Sequence, residues 1–488
     1  MEKLTQEIVP ILVLCAVIAL VVSRLPKVDV GHSAAFRHRR LMNWLPLGLT
    51  YAFLYMGRYN LTVLKNVQGI SQQDFGNIDS WGSLIYGLSF LINGPLADKF
   101  GGRRTILLAA GGALGANALI GVLWMNGSID RNSTLALSLL YSLNMYFQSF
   151  GAVSIVKVNA SWFHLRERGT FGGIFGILIS LGLYFAFDWG ARIAGAACAS
   201  CGKGPLPTAE VSQGLAWLFL IPAAILVVFL VLCIALVRDT PADAGLKDFD
   251  PEDASSHDPT TPETAVQVII RMLKNPVILT IAFIELCSGF LRQGILKWSN
   301  DFAKGVGAAD SYISLHWGMV SCIAGITGGI FAGVISDHLF NSRRPPVSTV
   351  LYLIMLAGAI LMLPLLGVPS AVSWVIALMA MAIIGVHGML SGVASQDFGG
   401  RKHTGVAVGL IDGFVYLGTA LQSQVYGGYG NLLPEKGTAA ASVVANWRAW
   451  PIAMIPVAAI GLALSVKLWN AKVKPRTPTM APVLPAKS

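Results

Sequence analysis

The chain has 488 residues, 54% hydrophobic and only 12% charged, with 35 Lys and Arg against 25 Asp and Glu for a formal charge of +10. A soluble domain carries about twice that charged fraction, so this composition, with a mean hydropathy of +0.64, excludes a water-soluble protein. The positive balance does not indicate nucleic acid, because the basic residues sit in short loops between apolar runs, the positive-inside pattern.

The first apolar run, "IVPILVLCAVIALVVS" at 8–23, is short for a membrane span and long for a signal peptide. No small-x-small cleavage site follows it, so an extra uncleaved helix is the preferred reading; a cleaved signal and an interfacial segment are the alternatives. Twelve longer runs follow, near 42–65, 79–98, 105–126, 134–160, 170–192, 214–237, 276–298, 312–336, 347–368, 371–394, 404–427 and 448–470. A Pro-, Asp- and Thr-rich stretch without apolar period divides them six and six. The expected organisation is a leader at 1–36, an N-terminal six-helix bundle at 37–237, a linker at 238–274, a C-terminal six-helix bundle at 275–471 and a tail at 472–488. Basic clusters at 37–40, 99–104, 166–168, 343–344, 401–403 and 472–476 all fall on one side if the twelve helices alternate, and that side should be cytoplasmic.

In the first of the twelve, "YAFLYMGRYNLTVLKN" at 51–66 holds an arginine in an apolar helix. An uncompensated charge at membrane depth costs about 2.5 kcal/mol or more. Tyr51, Tyr55 and Arg58 are spaced i, i+4, i+7 and share one face. The second helix carries Tyr86, read equally as packing or binding, and closes on "GPLADKFGGRR" at 94–104. There Gly94 permits close helix contact, Asp98 can pair at a helix end, and Arg103 and Arg104 hold the loop at the membrane surface. Lys157 in the fourth helix either lines a cavity or snorkels to an interface. "CASC" places Cys198 and Cys201 in a loop where an oxidising compartment would permit a disulfide. After the linker, "AVQVIIRMLKNP" reads as a short amphipathic helix lying on the interface.

The seventh helix carries a second intramembrane arginine, Arg292, with Glu285 two turns earlier on the same face. The loop after the eighth, "GVISDHLFNSRR" at 333–344, repeats the earlier loop through Gly333, Asp337, Arg343 and Arg344. Asp412 sits one turn before Tyr416 in the eleventh. Asp412 and Glu285 either carry protons, as intramembrane acids often do, or form fixed salt bridges with Arg292 or Lys157. His316 and His387 read as packed polar residues. No phosphate loop, metal-ligand spacing or catalytic triad is present, and "GGYG" at 427–430 is a turn with no strand before it. No cofactor and no enzymatic activity are expected.

The two matching loops resemble the signature of the major facilitator superfamily. Tyr51, Tyr55, Arg58 and Asn60, the stretch "FLRQGILKWSNDF" at 290–302, "RDTPADAGL" at 238–246, "ERG" at 167–169 and "YLG" at 416–418 are similar to one branch, the organophosphate:phosphate antiporters. The resemblance runs over 37–470. It implies an all-α membrane protein of two six-helix bundles related by a pseudo-two-fold axis, which would bring Arg58 and Arg292 towards each other near mid-membrane. It also implies that these arginines bind a small anionic substrate through bidentate guanidinium–phosphate contacts, with Tyr51, Tyr55, Tyr86, Lys157 and Tyr416 around them. Inorganic phosphate would be the counter-substrate, a monomer in a bacterial inner membrane the working form, and a proton-coupled carboxylate or sulfonate symporter or a sugar-phosphate sensor the rival readings. Four positions depart from the family pattern: Phe90 stands for a lysine, Ile179 for a histidine, Cys322 for a glutamate and Gly289 for a tyrosine. Asp412 stands where the family has an uncharged residue.

Overall fold

The computed structural model describes residues 31–67, 69–164, 167–197, 213–249, 264–340 and 344–470, with Leu12 and Ala16; the side chains of 168–175, 265, 333–338, 344 and 392–402 are not included. Nearly all of the leader helix, Cys198 and Cys201, residues 250–263 of the linker, the tail, Arg343 and the side chains of Asp337 and Arg344 therefore lie outside the described residues.

The elements follow the predicted runs. In order they are α1 (Ala34–Asn66), α2 (Gln72–Phe100), α3 (Gly102–Met125), α4 (Thr134–Trp162), α5 (Arg168–Tyr184), α6 (Trp217–Leu236), α7 (Pro276–Leu296), α8 (Trp317–Leu339), α9 (Arg344–Leu365), α10 (Pro369–His387), α11 (Ser395–Tyr426) and α12 (Ala449–Lys467). A π-helical turn, Phe185–Trp189, carries α5 on into Gly190–Ala197. Local chemistry sets the starts: Ser33 caps α1 by accepting from Phe36 N at 3.1 Å, Ser71 caps α2, and Asn275 caps α7 with Pro276 at its first position. A second π turn, Gly388–Ala394, joins α10 to α11. Ser391 Oγ donates to Asp412 Oδ1, 21 residues on. One straight helix would hold them about 30 Å apart, so the chain reverses between them.

Among the described residues, eight helices are long and apolar enough to cross a membrane. α1, α2 and α4 are longer, at 33, 29 and 29 residues, or about 43–50 Å at 1.5 Å per residue. They fall below that apolar measure because their polarity points inward. Arg58, Asn60 and Lys65 of α1, Asp79, Ser83 and Asn93 of α2, and Asn144 and Gln148 of α4 are buried, while Leu88, Leu91 and Ile92 of α2 and Leu135, Leu139 and Leu143 of α4 are exposed. A polar inside and an apolar outside is the arrangement a bilayer demands.

Packing divides the helices as the sequence does. α3 lies on α4 and α6, α1 on α5 and α6, and α2 on α4; α8 lies on α10, α9 on α10 and α12, and α7 on α11 and α12. Among the described residues the two most extensive seams between the halves are α2 against α11 and α5 against α8, and a two-fold relation exchanges one for the other. The first seam is backbone on backbone: a Cβ on Gly94 would strike the Gly405 carbonyl, and one on Gly409 the Phe90 carbonyl.

The end of the molecule bearing the 94–104 loop is tied by Asp98. Its carboxylate accepts Lys157 Nζ at 2.6 Å and the backbone N–H groups of Gly405 and Val406 at 3.1 Å each, so it fixes the start of the α11 span across the seam. Gly101 turns the chain between α2 and α3 at φ +86°, beside the Asp239 carboxylate, which accepts Arg103 N at 2.7 Å. The Arg103 guanidinium reaches the Ile234 carbonyl at 2.8 Å, and Arg104 is exposed. The "RDTP" stretch thus locks the loop to the end of α6. Burial holds the Asp239 carboxyl above its ordinary range despite these donors.

At the opposite end, hereafter the far end, buried ion pairs bridge the halves. Lys65 of α1 pairs with Asp301, which also accepts Lys436 Nζ at 3.3 Å, and Lys65 Nζ donates to the Lys297 carbonyl at 2.8 Å. Lys297 Nζ donates to Asp79 Oδ2 of α2 at 2.5 Å, with Ser423 Oγ on the same oxygen. Glu435, whose carboxyl is raised by burial, accepts the Gln72 backbone N–H at 3.0 Å.

Candidate anion site between the two halves

The face of α1 predicted from spacing converges on Arg58. Its guanidinium is 3% exposed, and each of its three nitrogens has a partner. Nη1 donates to Tyr416 Oη at 2.7 Å, Nη2 to Tyr86 Oη at 2.8 Å and Nε to Gln148 Oε1 at 3.1 Å. The group also lies over the rings of Tyr55, Tyr86, Tyr416 and Tyr51, at 4.5, 4.8, 5.7 and 5.9 Å from their centroids. Desolvated cation–π contacts contribute up to about 2 kcal/mol each, so hydroxyls and ring faces offset the cost of burial without neutralising the charge. The backbone beneath is fixed as well: Tyr141 Oη donates to the Arg58 carbonyl at 2.6 Å and Asn144 Nδ2 to the Gly57 carbonyl at 2.9 Å.

Arg292 occupies the matching place on α7 and is equally buried, at 3% exposed. Among the described residues it donates no hydrogen bond, and its Nε is a buried donor without a partner. The groups that act on its charge are Tyr416, Tyr59, Tyr55 and Glu285. Tyr416 and Tyr55 therefore act on both arginines. Tyr59 is held by Gln293, with Gln293 Nε2 donating to Tyr59 Oη at 2.9 Å.

The acidic residues take partners other than those proposed from sequence. Glu285 is fully buried, and its Oε2 is bonded to His387 Nδ1 at 3.0 Å, while Oε1 has no partner among the described residues. Asp412 is bonded to Ser391. His387 and Ser391, not Arg292 or Lys157, are therefore the hydrogen-bond partners of these acids. His387 is more than a packed polar residue, because it links α10 to α7. His316 lies tilted against Tyr312, with ring centroids 4.7 Å apart. Lys157 also departs from expectation: its ammonium reaches Asp98 at the loop end, a place set by the Asp98 carboxylate on the adjoining helix.

The four family departures have local explanations. Phe90 packs its ring edgewise on Tyr86, 4.9 Å between centroids, and near Tyr416 at 6.2 Å. Gly289 is where α11 lies on α7: a Cβ there would run into the Val415 carbonyl, and one on Gly418 into the Leu286 carbonyl. Cys322 and Ile179 are buried in the apolar clusters of α8 and α5. Sequence reading missed Gln148 and Asn144, although polar residues at i, i+4 in an apolar helix signal a buried face. It also missed the far-end set of Lys65, Asp79, Lys297, Asp301 and Lys436, two of which lie inside the quoted stretch 290–302.

Comparison with known proteins gives the family. The Major Facilitator Superfamily model matches residues 47–423. The glycerol-3-phosphate transporter of Bacillus subtilis is 28% identical over 408 residues, covering 80% of this chain and 86% of that protein. The hexose-6-phosphate:phosphate antiporter of Salmonella typhimurium is 27% identical over 401 residues, covering 77% and 80%. Among solved structures, a bacterial homolog of the human lysosomal transporter Spinster superposes with a TM-score of 0.60 at 14% identity, over 90% of this chain and 97% of that one, which shows the fold. With its membrane-spanning helices, two joined halves and shared buried core, the chain is an integral membrane protein that belongs to the Major Facilitator Superfamily, and the two relatives named above are organophosphate transporters.

Proposed function

We propose that this protein exchanges a small organophosphate for inorganic phosphate by alternating access. The observation that carries the reading is a pair of buried guanidiniums, one from each half, with tyrosines that act on both and no carboxylate hydrogen-bonded to either among the described residues. Two such cations repel each other, and a phosphate between them accepts bidentate bonds from both. The relatives named above handle phosphate esters, which supports the same class of ligand. Arg58 and Arg292 would hold the phosphoryl oxygens. Tyr51, Tyr55, Tyr86 and Tyr416 would orient Arg58, and Tyr416, reaching across from α11, would report occupancy to the other half.

The halves at 37–237 and 275–471 would rock about this site. The loop end, with its basic clusters, would face the cytoplasm together with the linker and the C-terminus. Counterflow tests the reading: proteoliposomes preloaded with inorganic phosphate should take up labelled phosphate, and folded Arg58→Lys protein should not. Equal uptake by the variant would sink the arginine pair, and no uptake by folded wild type would sink phosphate exchange.

A further inference from the structure

The charges buried around the arginine pair close a circuit of their own. Arg58 and Arg292 stay protonated in any protein environment. The core also holds two carboxylates, Glu285 and Asp412, both at most 4% exposed. Ionised, they bring the empty core to neutrality, two positive against two negative. Arg292 acts electrostatically on both acids, and His387 lies against Glu285 and acts on Asp412. A phosphate dianion arriving on the arginines would leave the core with two uncompensated negative charges, and an unbalanced charge in a low-dielectric interior costs several kcal/mol.

We infer that the Glu285–His387–Asp412 cluster takes up protons when the anion binds, so that the substrate moves together with protons. This rests on the phosphate reading and adds a coupling to it. The groups facing Glu285 are Arg292 and Cys287 from its own helix, His387 from α10, Asp412 from α11 and Tyr352 from α9, whose hydroxyl donates to the Ile284 carbonyl at 2.5 Å; Arg58 of α1 acts on His387. α12 carries no titratable group before Lys467. Glu285 Oε1, buried and unpartnered, is an open position for a proton. A metal cation would need more oxygen ligands, and no group of three or more His, Cys, Asp or Glu fit to hold one is found among the described residues.

The consequence concerns the return step. If bare arginines were the only buried charges, the empty carrier would resist closing and exchange would be obligatory. With carboxylates as internal counter-ions, the empty carrier is neutral and can reorient, so net uptake driven by a proton gradient becomes open to this protein.

The test uses purified protein in weakly buffered detergent with a pH indicator, titrated with glycerol 3-phosphate at about pH 7.5. A phosphomonoester, with its second ionisation near 6, is already a dianion there and neither gains nor loses protons itself. Uptake of about one to two protons per bound anion is expected, with affinity falling about tenfold per pH unit for each proton linked. Glu285→Gln combined with Asp412→Asn should bind the anion without proton uptake and with a flat pH profile. Binding without proton uptake in the wild type, or binding that instead requires sodium, overturns the coupling and leaves the phosphate reading standing. Undiminished uptake in the double variant overturns the assignment to this cluster. No binding by folded protein overturns both readings. The wild-type stoichiometry and pH profile decide the matter even if the double variant does not fold.

Discussion

Arg58 and Arg292 occupy equivalent positions in the two halves, yet their surroundings differ. Every nitrogen of Arg58 is hydrogen-bonded, and its partners come from α2, α4 and α11. Arg292 donates no hydrogen bond among the described residues and has carboxylates for company. The first arginine is held by protein acceptors, while the guanidinium of the second is bonded to none among the described residues. A preorganised donor group and a bare one facing the same space suit a site that must both select an anion and change when it arrives. The asymmetry also separates two roles that sequence symmetry would merge.

The largest expected effect tests that separation. Arg58→Lys and Arg292→Lys should each lower phosphate exchange by about a thousandfold, since a lysine cannot supply a planar fork and each charge-assisted bond contributes about 1.5–3 kcal/mol. Their effects on stability should diverge. Arg58→Lys loses bonds that already exist in the empty protein and should lower the melting temperature, whereas Arg292→Lys should leave it unchanged. Equal losses of stability, read by thermal unfolding in detergent, would contradict the division between a fixed and a free arginine.

The far end gives the next effect. Lys297 lies five residues beyond Arg292 and satisfies Asp79 across the halves. Lys297→Ala leaves a buried carboxylate with only Ser423 beside it, a change that costs about 3–5 kcal/mol when such a pair loses one member. Unfolding should come at clearly lower temperature, and labelling from the far side, with a cysteine introduced at the buried Ala303, should become faster. Unaltered labelling would mean that the pair contributes stability but does not close the far end.

Much of this was legible in the sequence, for definite physical reasons. The twelve helices were visible because a bilayer imposes long apolar runs, and Arg58 and Arg292 because charges inside such runs are costly. Partners were harder to read. Lys157 sits in the last turns of an apolar helix, and only the crossing of α4 with α2 shows that it meets Asp98. Glu285 lies two turns from Arg292, which suggested an internal pair, but α10 inserts His387 beside it. Gly289 looked like the loss of a binding tyrosine; in the fold its missing side chain is what lets α11 lie on α7. Spacing along one helix predicts a face, and the neighbour on that face is a property of the whole fold.

The smallest effects give the sharpest comparison, because they remove equivalent atoms. Tyr86→Phe and Tyr416→Phe each take one hydroxyl acceptor from Arg58, at 2.8 and 2.7 Å, and leave the ring in place for its cation–π contact. A deleted acceptor on a charged donor costs about 1.5 kcal/mol, or about tenfold. Tyr86 belongs to the same half as Arg58, so its loss loosens the arginine without touching the other half. Tyr416 belongs to the opposite half and also acts on Arg292. Tyr86→Phe should therefore weaken phosphate binding by about threefold to tenfold with little change in maximal exchange rate. Tyr416→Phe should weaken binding by a similar factor and also change the maximal rate, since it removes a bond that must break or re-form as the halves move. Identical kinetic profiles for the two variants would mean that the bond across the seam plays no part in the movement, and Arg58 would then have to be read as a purely local anchor.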